Sequence, residues 1–150
     1  MITTALPEAH FRGLERVFRA SLVNADGRTE LRVGHGVAEL TLTFVETDCH
    51  AAGAVHGACV FKLLDDAAFF AASSVADDAF LATASFTLQL VRPALPGPVV
   101  ATGTLTQAGR RVAFAESRLC DAEGRLLACG TGVFLRSHVA LDAVPGYRVD

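Results

Sequence analysis

Two adjacent carboxylates, Asp65 and Asp66, lie in the middle of a nearly continuous apolar segment, AGAVHGACVFKLLDDAAFFAASS at residues 52–74. On a helix with about 100° per residue, Asp65 shares a face with Phe61 one turn before it and Phe69 one turn after it. A carboxylate among apolar neighbours costs free energy unless it is hydrogen-bonded, paired or used by a substrate. Asp65 is therefore either a catalytic carboxylate or a buried Asp that backbone N–H groups satisfy.

Asp66 has a simpler explanation, because Lys62 precedes it by one helical turn. The i,i+4 spacing predicts an ordinary ion pair at a solvated edge of the helix. We expect no catalytic role for Asp66.

Gly57 lies at the expected start of this helix, directly after His56. Free backbone N–H groups and the positive end of the helix dipole favour a developing negative charge there, as in an oxyanion hole. A glycine at that position can equally serve the turn alone. Gly57 and Asp65 lie ~12 Å apart along one helix. Two such helices packed antiparallel about a twofold axis bring Asp65 of one chain to Gly57 of the other.

The composition limits the classes of partner. With 13 Lys and Arg against 16 Asp and Glu, the net charge is −3, and no basic cluster is present for nucleic acid. Apolar runs stop well short of the ~20 residues that a membrane-spanning helix needs, and residues 1–20 lack the apolar core of a signal peptide. We therefore predict a cytoplasmic protein that binds neither nucleic acid nor a membrane.

The four cysteines have no spacing typical of a zinc site, so we expect buried, reduced thiols and no metal. The chain has 150 residues, of which 51% are hydrophobic, which is enough for the core of one domain. We predict a single domain over residues 1–150. Its N-terminal helix and turn occupy 1–27, and a loosely docked tail occupies 137–150.

Local patterns predict the elements around the central helix. Apolar residues at helical spacing predict a short amphipathic helix over 8–20, and alternation in ELRVGHGVAELTLTF predicts a hairpin with its turn near Gly34–Gly36. A loop at 45–56 leads into the central helix, and four alternating segments after it predict an antiparallel meander. The turns between these segments lie at Pro96–Gly97, Gly109–Arg110 and Glu123–Gly124.

These elements predict an α+β fold, in which a long central helix is wrapped by a curved antiparallel sheet. The helix is apolar on nearly all sides, and we expect that one curved sheet cannot cover both of its faces. A second copy of the chain is therefore expected to cover the face that carries Phe61, Ala68, Phe69 and Ala72.

The segment from His50 to Phe70, with SFTLQLVRPALPG after it, resembles the hot-dog fold acyl-CoA thioesterases of the phenylacetate-pathway (PaaI-like) type. That family carries an Asn, then His-Gly-Gly six residues later, and an Asp nine residues after the histidine. The order of elements matches the hot-dog fold over residues 28–136. The resemblance implies a hydrolase that cleaves acyl-CoA to a free acid and CoA. Its site would be shared across the interface of a homodimer, alone or in a homotetramer built as a dimer of dimers.

The resemblance also assigns roles to residues of this chain. His56 and Gly57 match the His-Gly motif, and Asp65 matches the catalytic carboxylate, acting as a general base or as a nucleophile. His56 is expected to fix the loop, with a proton carrier as the alternative. Thr83 falls where some members have a serine that helps to hold water, although it can equally be a simple strand residue.

Two positions depart from the family pattern: His50 replaces the Asn, and Ala58 replaces the second glycine. A neutral imidazole donates and accepts only through different nitrogens, so water orientation or thioester binding is expected to change. A loop histidine with no role is the alternative. Ala58 keeps its backbone N–H, and its Cβ is expected to narrow the acyl pocket. The residues predicted to bind substrate are Ala58, Phe61 and Arg92, the last together with Arg110 and Arg111 at the CoA phosphates.

Two alternatives to the thioesterase stay open. One is a non-catalytic hot-dog module that binds or senses acyl-CoA, and the other is a hot-dog dehydratase, whose usual histidine signatures are not evident. Asp65 favours chemistry over binding alone. CoA is expected as part of the substrate, with no separate cofactor, and the acyl group is left open because the apolar residues suit aryl and fatty chains alike.

Overall fold

The computed structural model describes residues 4–148; residues 1–3 and 149–150, which belong to the predicted N-terminal segment and tail, lie outside the described residues. In chain order the elements are α1 (Glu8–Ala20), β1 (Glu30–Gly34), β2 (Val37–Phe44), α2 (Gly57–Ser73), β3 (Ala79–Leu90), β4 (Gly97–Ala108), β5 (Val112–Asp121) and β6 (Leu126–Ala140), with 3₁₀ turns at Leu22–Asn24, Glu46–Asp48 and Leu141–Ala143. Both predicted helices, the hairpin and the four later strands are therefore present.

The strands form one antiparallel sheet with the order β1-β2-β4-β5-β6-β3. The predicted meander is correct for β4, β5 and β6 but wrong for β3, which pairs with β6 at the edge of the sheet. Alternation identifies a strand but not its partner. The connection at 91–96 contains Pro93 and Pro96 and is too long for a tight hairpin turn. It crosses the end of β6 instead, where the N–H groups of Val91 and Arg92 donate to the Leu127 carbonyl.

Helix α2 packs on one face of the sheet and forms the centre of the core. Leu64 and Ala67 are fully buried, together with Leu40 of β2 and Leu119 of β5. Gly103 of β4 allows the close approach, because a Cβ there would overlap the Ala67 carbonyl. The predicted α+β arrangement is therefore confirmed, and the position of α2 against β4 is fixed by backbone contact.

The sheet covers more of α2 than the sequence analysis expected. Ala68 and Ala72 are fully buried within one chain, in a cluster that also contains Leu81, Ala113 and Phe134. The expectation that this face has no partner in its own chain was therefore wrong for both alanines. Their small side chains let β3, β5 and β6 curl closely around the helix.

Part of the same face remains exposed beside the edge strand. Phe61 is 38% exposed and packs edge-to-face on Phe86 of β3, with 5.3 Å between the ring centroids. Residues 82–85 of β3 are exposed one after another, so both faces of the strand are open there. The surface without cover in one chain is therefore Phe61 and the free edge of β3.

The C-terminal segment is better ordered against the domain than the predicted tail. Strand β6 continues past residue 137, because Ala140 still pairs with Ala79 of β3. Beyond it, Tyr147 is buried against α1, and its hydroxyl is hydrogen-bonded to Nδ1 of His10 at 2.7 Å. The segment therefore belongs to the packed domain as far as residue 148.

Among residues 4–148, no helix is long and apolar enough to cross a membrane. The cysteines are free thiols, but they are half-buried rather than buried as predicted. One cysteine lies in the loop before α2, one lies in the first turn of α2, and the other two lie in β5 and β6. These four residues are Cys49, Cys59, Cys120 and Cys129.

Candidate functional site

The first turn of α2 contains a backbone N–H that donates no hydrogen bond within residues 4–148. His56 is the N-cap, and its Nδ1 accepts a hydrogen bond from the Ala58 N–H at 3.0 Å. Its carbonyl accepts from the N–H of Cys59. Within residues 4–148 the Gly57 N–H has no acceptor. Gly57 therefore presents a free donor at the positive end of the helix dipole, and His56 serves to fix that geometry.

Gly57 lines a cavity of about 610 Å³ together with His50 and Arg92. Its apolar wall includes Leu90 and Leu127. A Cβ on Gly57 would lie 3.5 Å from Leu90, in ordinary contact, so the close packing here does not exclude a larger residue. This cavity is larger than the one beside Asp65. It combines an apolar wall with hydrogen-bond donors and one guanidinium, as expected for a binding site.

His50 and Arg92 are the polar side chains of the larger cavity. His50 is exposed, and its Nδ1 accepts from the Ala52 N–H at 3.1 Å. The neutral ring therefore carries its proton on Nε2, which remains a donor. The Arg92 side chain is exposed and forms no ion pair or hydrogen bond with residues 4–148. Both groups are available to a ligand.

Asp65 lies on the third turn of α2 and is half-buried. The Thr83 hydroxyl, from β3, donates to its Oδ1 at 2.9 Å. Burial raises the pKa of Asp65, and the negative charge of Asp66 raises it further, while the Thr83 hydrogen bond and the charge of Lys62 oppose the shift. Within residues 4–148, Asp65 therefore has no direct cation partner; it is oriented by one hydroxyl and is more basic than an exposed Asp.

Asp66 is ion-paired as predicted, but the pair is not at a solvated edge. Lys62 Nζ lies 2.7 Å from Asp66 Oδ2 and also donates to Asn24 Oδ1 at 2.6 Å. The Asp66 side chain is only 22% exposed, and burial raises its pKa against the effect of Lys62. The predicted exposure was wrong because the 3₁₀ turn containing Asn24 covers this side of the helix.

A second, smaller cavity of about 240 Å³ lies beside Asp65 and Thr83. Its walls are largely apolar and include Phe69, Phe80 and Val23. Val23 and the Leu90 and Leu127 side chains of the larger cavity were not among the predicted site residues. No sequence pattern singles out Val23, because Leu22 beside it continues the helical spacing of Leu14 and Phe18.

The predicted site residues fall into two groups. His50, Gly57 and Arg92 share the larger cavity, while Asp65 and Thr83 share the smaller one. Ala58 and Phe61 line neither of these two cavities, and Arg110 and Arg111 lie at the turn between β4 and β5. Among the described residues no three His, Cys, Asp or Glu side chains are grouped to hold a metal ion.

Each group lacks what the other has. The first turn of α2 offers donors but no carboxylate to activate water, and the third turn offers a carboxylate but no free N–H for an oxyanion. Eight residues of helix, ~12 Å, separate Gly57 from Asp65 within one chain. The free N–H and the oriented carboxylate of one chain therefore lie too far apart to meet at the same atom.

Comparison with known families places the chain as follows. A family model described as the thioesterase superfamily matches residues 52–128. The matched range contains Gly57, Asp65, Thr83 and Arg92, while His50 lies just before it. A search of curated proteins finds no match.

Solved structures share the fold over most of the chain. The PaaI protein of E. coli, from the phenylacetic acid degradation operon, is 16% identical with a TM-score of 0.79, and the alignment covers 89% of this chain and 99% of that one. A conserved protein of Pseudomonas aeruginosa is 26% identical with a TM-score of 0.74, covering 81% and 98%. A Streptococcus mutans protein bound to acetyl-CoA is 15% identical with a TM-score of 0.68, covering 73% and 88%. These likenesses confirm the predicted hot-dog fold.

Proposed function

This chain belongs to the thioesterase superfamily, and on that premise we propose that it hydrolyses an acyl-CoA thioester to a free acid and CoA. Family and fold support thioester hydrolysis as the class of reaction. The Streptococcus mutans protein of the same fold was solved with acetyl-CoA bound, which supports a CoA ester as the substrate. CoA is then part of the substrate, and the proposal includes no separate cofactor.

The observation that carries the proposal is the division of the site into two half-sites on one helix. Gly57 provides a free N–H and Asp65 an oriented carboxylate, in different cavities. Two copies related by a twofold axis, with α2 antiparallel to its counterpart, join Gly57 of one copy to Asp65 of the other. Each dimer then has two complete sites.

The free edge of β3 and Phe61 support this arrangement. An unpaired edge strand is a liability for a soluble protein unless something covers it, and residues 82–85 are exposed on both faces. Phe61 adds an exposed aromatic ring next to that edge. A second copy that covers β3 also covers the helix face between Phe61 and Asp65, where the shared site must form.

The reaction follows from the two half-sites. The thioester carbonyl oxygen accepts a hydrogen bond from the Gly57 N–H, which stabilises the negative charge that develops on it. Asp65 of the other copy takes a proton from water as the water oxygen attacks the carbonyl carbon. The C–S bond then breaks, and the CoA thiolate leaves and takes up the proton. Thr83 keeps the carboxylate oriented throughout.

Direct attack by Asp65 uses the same geometry. The carboxylate oxygen bonds to the carbonyl carbon, the CoA thiolate leaves, and water then cleaves the resulting anhydride. Both routes need an ionised Asp65 beside the carbonyl. In this proposal the Arg92 guanidinium, at the larger cavity, binds a phosphate of CoA. The Nε2–H of His50 is a further donor to the thioester or to water.

The test is hydrolysis of a series of acyl-CoA thioesters by the purified protein, followed as release of the CoA thiol. The expected result is turnover that Asp65→Asn reduces strongly. If acyl-CoA binds to the parent without any thiol release, the non-catalytic binding module is the better description. If it neither binds nor reacts, the assignment to CoA esters is wrong.

A mixing experiment tests the shared site separately. Asp65→Asn and Gly57→Pro should each be nearly inactive alone, because each damages both sites of its own dimer. After co-expression, the mixed dimer has one site with both defects and one intact site, so activity should return to a sizeable fraction of the parent. Activity that stays at the level of the single variants contradicts a site shared between copies.

A further inference from the structure

The 3₁₀ turn Leu22–Asn24 projects an apolar residue to the rim of the cavity beside Asp65. Val23 lines that cavity but is 71% exposed, so its side chain is not there to fill the core. Asn24 lines the same cavity. Val23 is therefore an exposed apolar side chain at the rim of the cavity that also contains Asp65.

The turn is held in place by polar contacts. Asn24 Nδ2 donates to the Phe18 carbonyl at 2.9 Å, and Lys62 Nζ donates to Asn24 Oδ1 at 2.6 Å. Lys62 is fixed in turn by Asp66 at 2.7 Å and lies over the Phe18 ring. Asn24 therefore links the turn to α1 and, through Lys62, to α2 three residues before Asp65, and this gives Val23 a defined position.

The sizes of the two cavities indicate which part of a thioester each one takes. Ligand pockets for whole drug-sized molecules measure about 300–1,000 Å³. The cavity beside Gly57, at about 610 Å³, lies within this range, whereas the cavity beside Asp65, at about 240 Å³, fits only part of a ligand. The smaller cavity therefore suits a compact acyl group rather than a CoA moiety.

Charge leads to the same assignment. CoA carries phosphates, and the larger cavity has the unpaired Arg92 guanidinium at its wall. The smaller cavity is lined by Asp65, which would repel a phosphate, and by Asp66, whose charge is paired with Lys62; its remaining walls are mainly aromatic and aliphatic. A thioester held between two copies thus has its CoA part on one copy and its acyl part on the other.

We propose that Val23 forms the outer wall of the acyl pocket and limits the size of the acyl group, with Asn24 as the residue that positions it. This inference rests on the proposed acyl-CoA hydrolysis and goes beyond it by naming the wall that selects among apolar acyl groups. Because Val23 lies at the rim and not in the core, its size can change without loss of the fold.

The experiment measures kcat/KM for straight-chain acyl-CoA thioesters from acetyl to decanoyl with the parent, Val23→Phe and Val23→Ala. Val23→Phe should lower kcat/KM for the longest acyl group that the parent accepts by about tenfold or more, with little change for acetyl-CoA. Val23→Ala should shift the preference toward longer chains. Thermal melting should match the parent in both variants, since the side chain is exposed.

Val100 provides the matched control, because it is an exposed valine on β4 that lines neither cavity. Val100→Phe and Val100→Ala should keep the parent's chain-length profile. A parent that hydrolyses the series, with a profile that neither Val23 variant shifts or that the Val100 variants shift equally, overturns the role of Val23 and leaves the proposed function standing. A parent that hydrolyses none of the series overturns the proposed function itself, and this inference with it.

Asn24 is tested through the same profile. Asn24→Ala removes the link to Lys62 and should broaden the range of chain lengths, because Val23 is no longer held in one position. Asn24→Asp keeps an oxygen acceptor for Lys62 Nζ but loses the donor to the Phe18 carbonyl, so it should restore only part of the parent's selectivity. A purely structural role predicts lower melting temperatures with an unchanged profile, and that result would remove Asn24 from the proposal.

Discussion

The first and third turns of α2 belong to one helix, yet they provide opposite chemistry. The first turn begins the helix and contains the free N–H of Gly57. The third turn contains Asp65, which is half-buried and has a raised pKa. Backbone geometry alone creates the first, since any helix start leaves donors free. The second depends on side chains from elsewhere, namely Thr83 of β3 and the apolar walls around it. A complete site needs both kinds of feature.

The largest effect on activity is expected when the charge is removed from the third turn of α2. Asp65→Asn should lower kcat by a factor on the order of 10² or more, because an amide neither accepts a proton from water nor attacks the thioester. Substrate binding should largely survive, and the Thr83 hydroxyl can still donate to the amide oxygen. Steady-state thiol release and thermal melting are the measurements. Normal turnover together with early melting would make Asp65 structural.

Asp66→Asn is the matched control on the adjacent residue. It keeps the hydrogen bond from Thr83 to Asp65 and removes one of the smaller causes of the raised Asp65 pKa. It also weakens the contact with Lys62, which holds Asn24. Because the pair is half-buried, we expect a loss of stability of about 1 kcal/mol, more than for an exposed pair, with kcat within a few-fold of the parent. A kinetic loss as large as that of Asp65→Asn would show that the two carboxylates act together.

Gly57→Pro tests the first turn with the least disturbance to the helix. Proline replaces the N–H hydrogen by the Cδ of its ring and is well tolerated at the first helical position. The preceding residue, His56, already has φ −61° and ψ 137°, which proline requires of its neighbour. The variant should lower kcat by about 10²–10³, the effect of removing one oxyanion donor, without loss of stability.

Gly57→Ala is the control, because it keeps the N–H and its Cβ meets only Leu90 at contact distance. Its turnover should stay much closer to the parent than that of Gly57→Pro. Equal losses in the two variants would mean that the space at Gly57 matters and the N–H does not.

Variants of His50 test the side chain that lines the same cavity as Gly57. His50→Asn should keep or raise activity, because Asn is the residue of the resembling family and can accept the Ala52 N–H in the same turn. His50→Ala should lower kcat/KM by up to about tenfold, the value of one hydrogen bond, without unfolding the protein. If both variants hydrolyse acyl-CoA like the parent, His50 is a loop residue without a role.

The fold was predictable wherever short-range pattern decides it. The start of α2 at Gly57, the amphipathic α1 and the Gly34–Gly36 turn follow from spacing and turn residues, and the structure has them where predicted. The pairing of β3 with β6 was not predictable, since period-two alternation is the same for every partner. The cover of Ala68 and Ala72 was missed for the same reason, because it depends on how far the sheet curls.

The site was predictable as a set of residue types but not as an arrangement. The identities of Gly57, Asp65 and His50 come from motif spacing, and their roles stay predictions until the variants are measured. The burial of the Lys62–Asp66 pair and the place of Val23 depend on a turn that packs on α2 from about forty residues earlier in the chain. No local pattern contains such a contact, so only the folded chain reveals it.

The smallest predicted effect concerns how the stability of the folded chain depends on pH through the Asp65 carboxylate. Burial raises the pKa of Asp65, so the folded chain holds this proton more tightly than the unfolded chain does. The stabilisation that this bound proton gives the folded chain is fully present below the ordinary Asp pKa of about 3.9. It is lost as pH rises through the raised pKa of Asp65 in the folded chain. Asp65→Asn has no such proton to lose. Its melting temperature relative to the parent should therefore increase between about pH 4 and pH 7, on the order of 1–2 °C. A constant or shrinking difference over that range would mean that the Asp65 carboxylate is stabilised by partners in the assembled dimer, and that its basicity is not raised there.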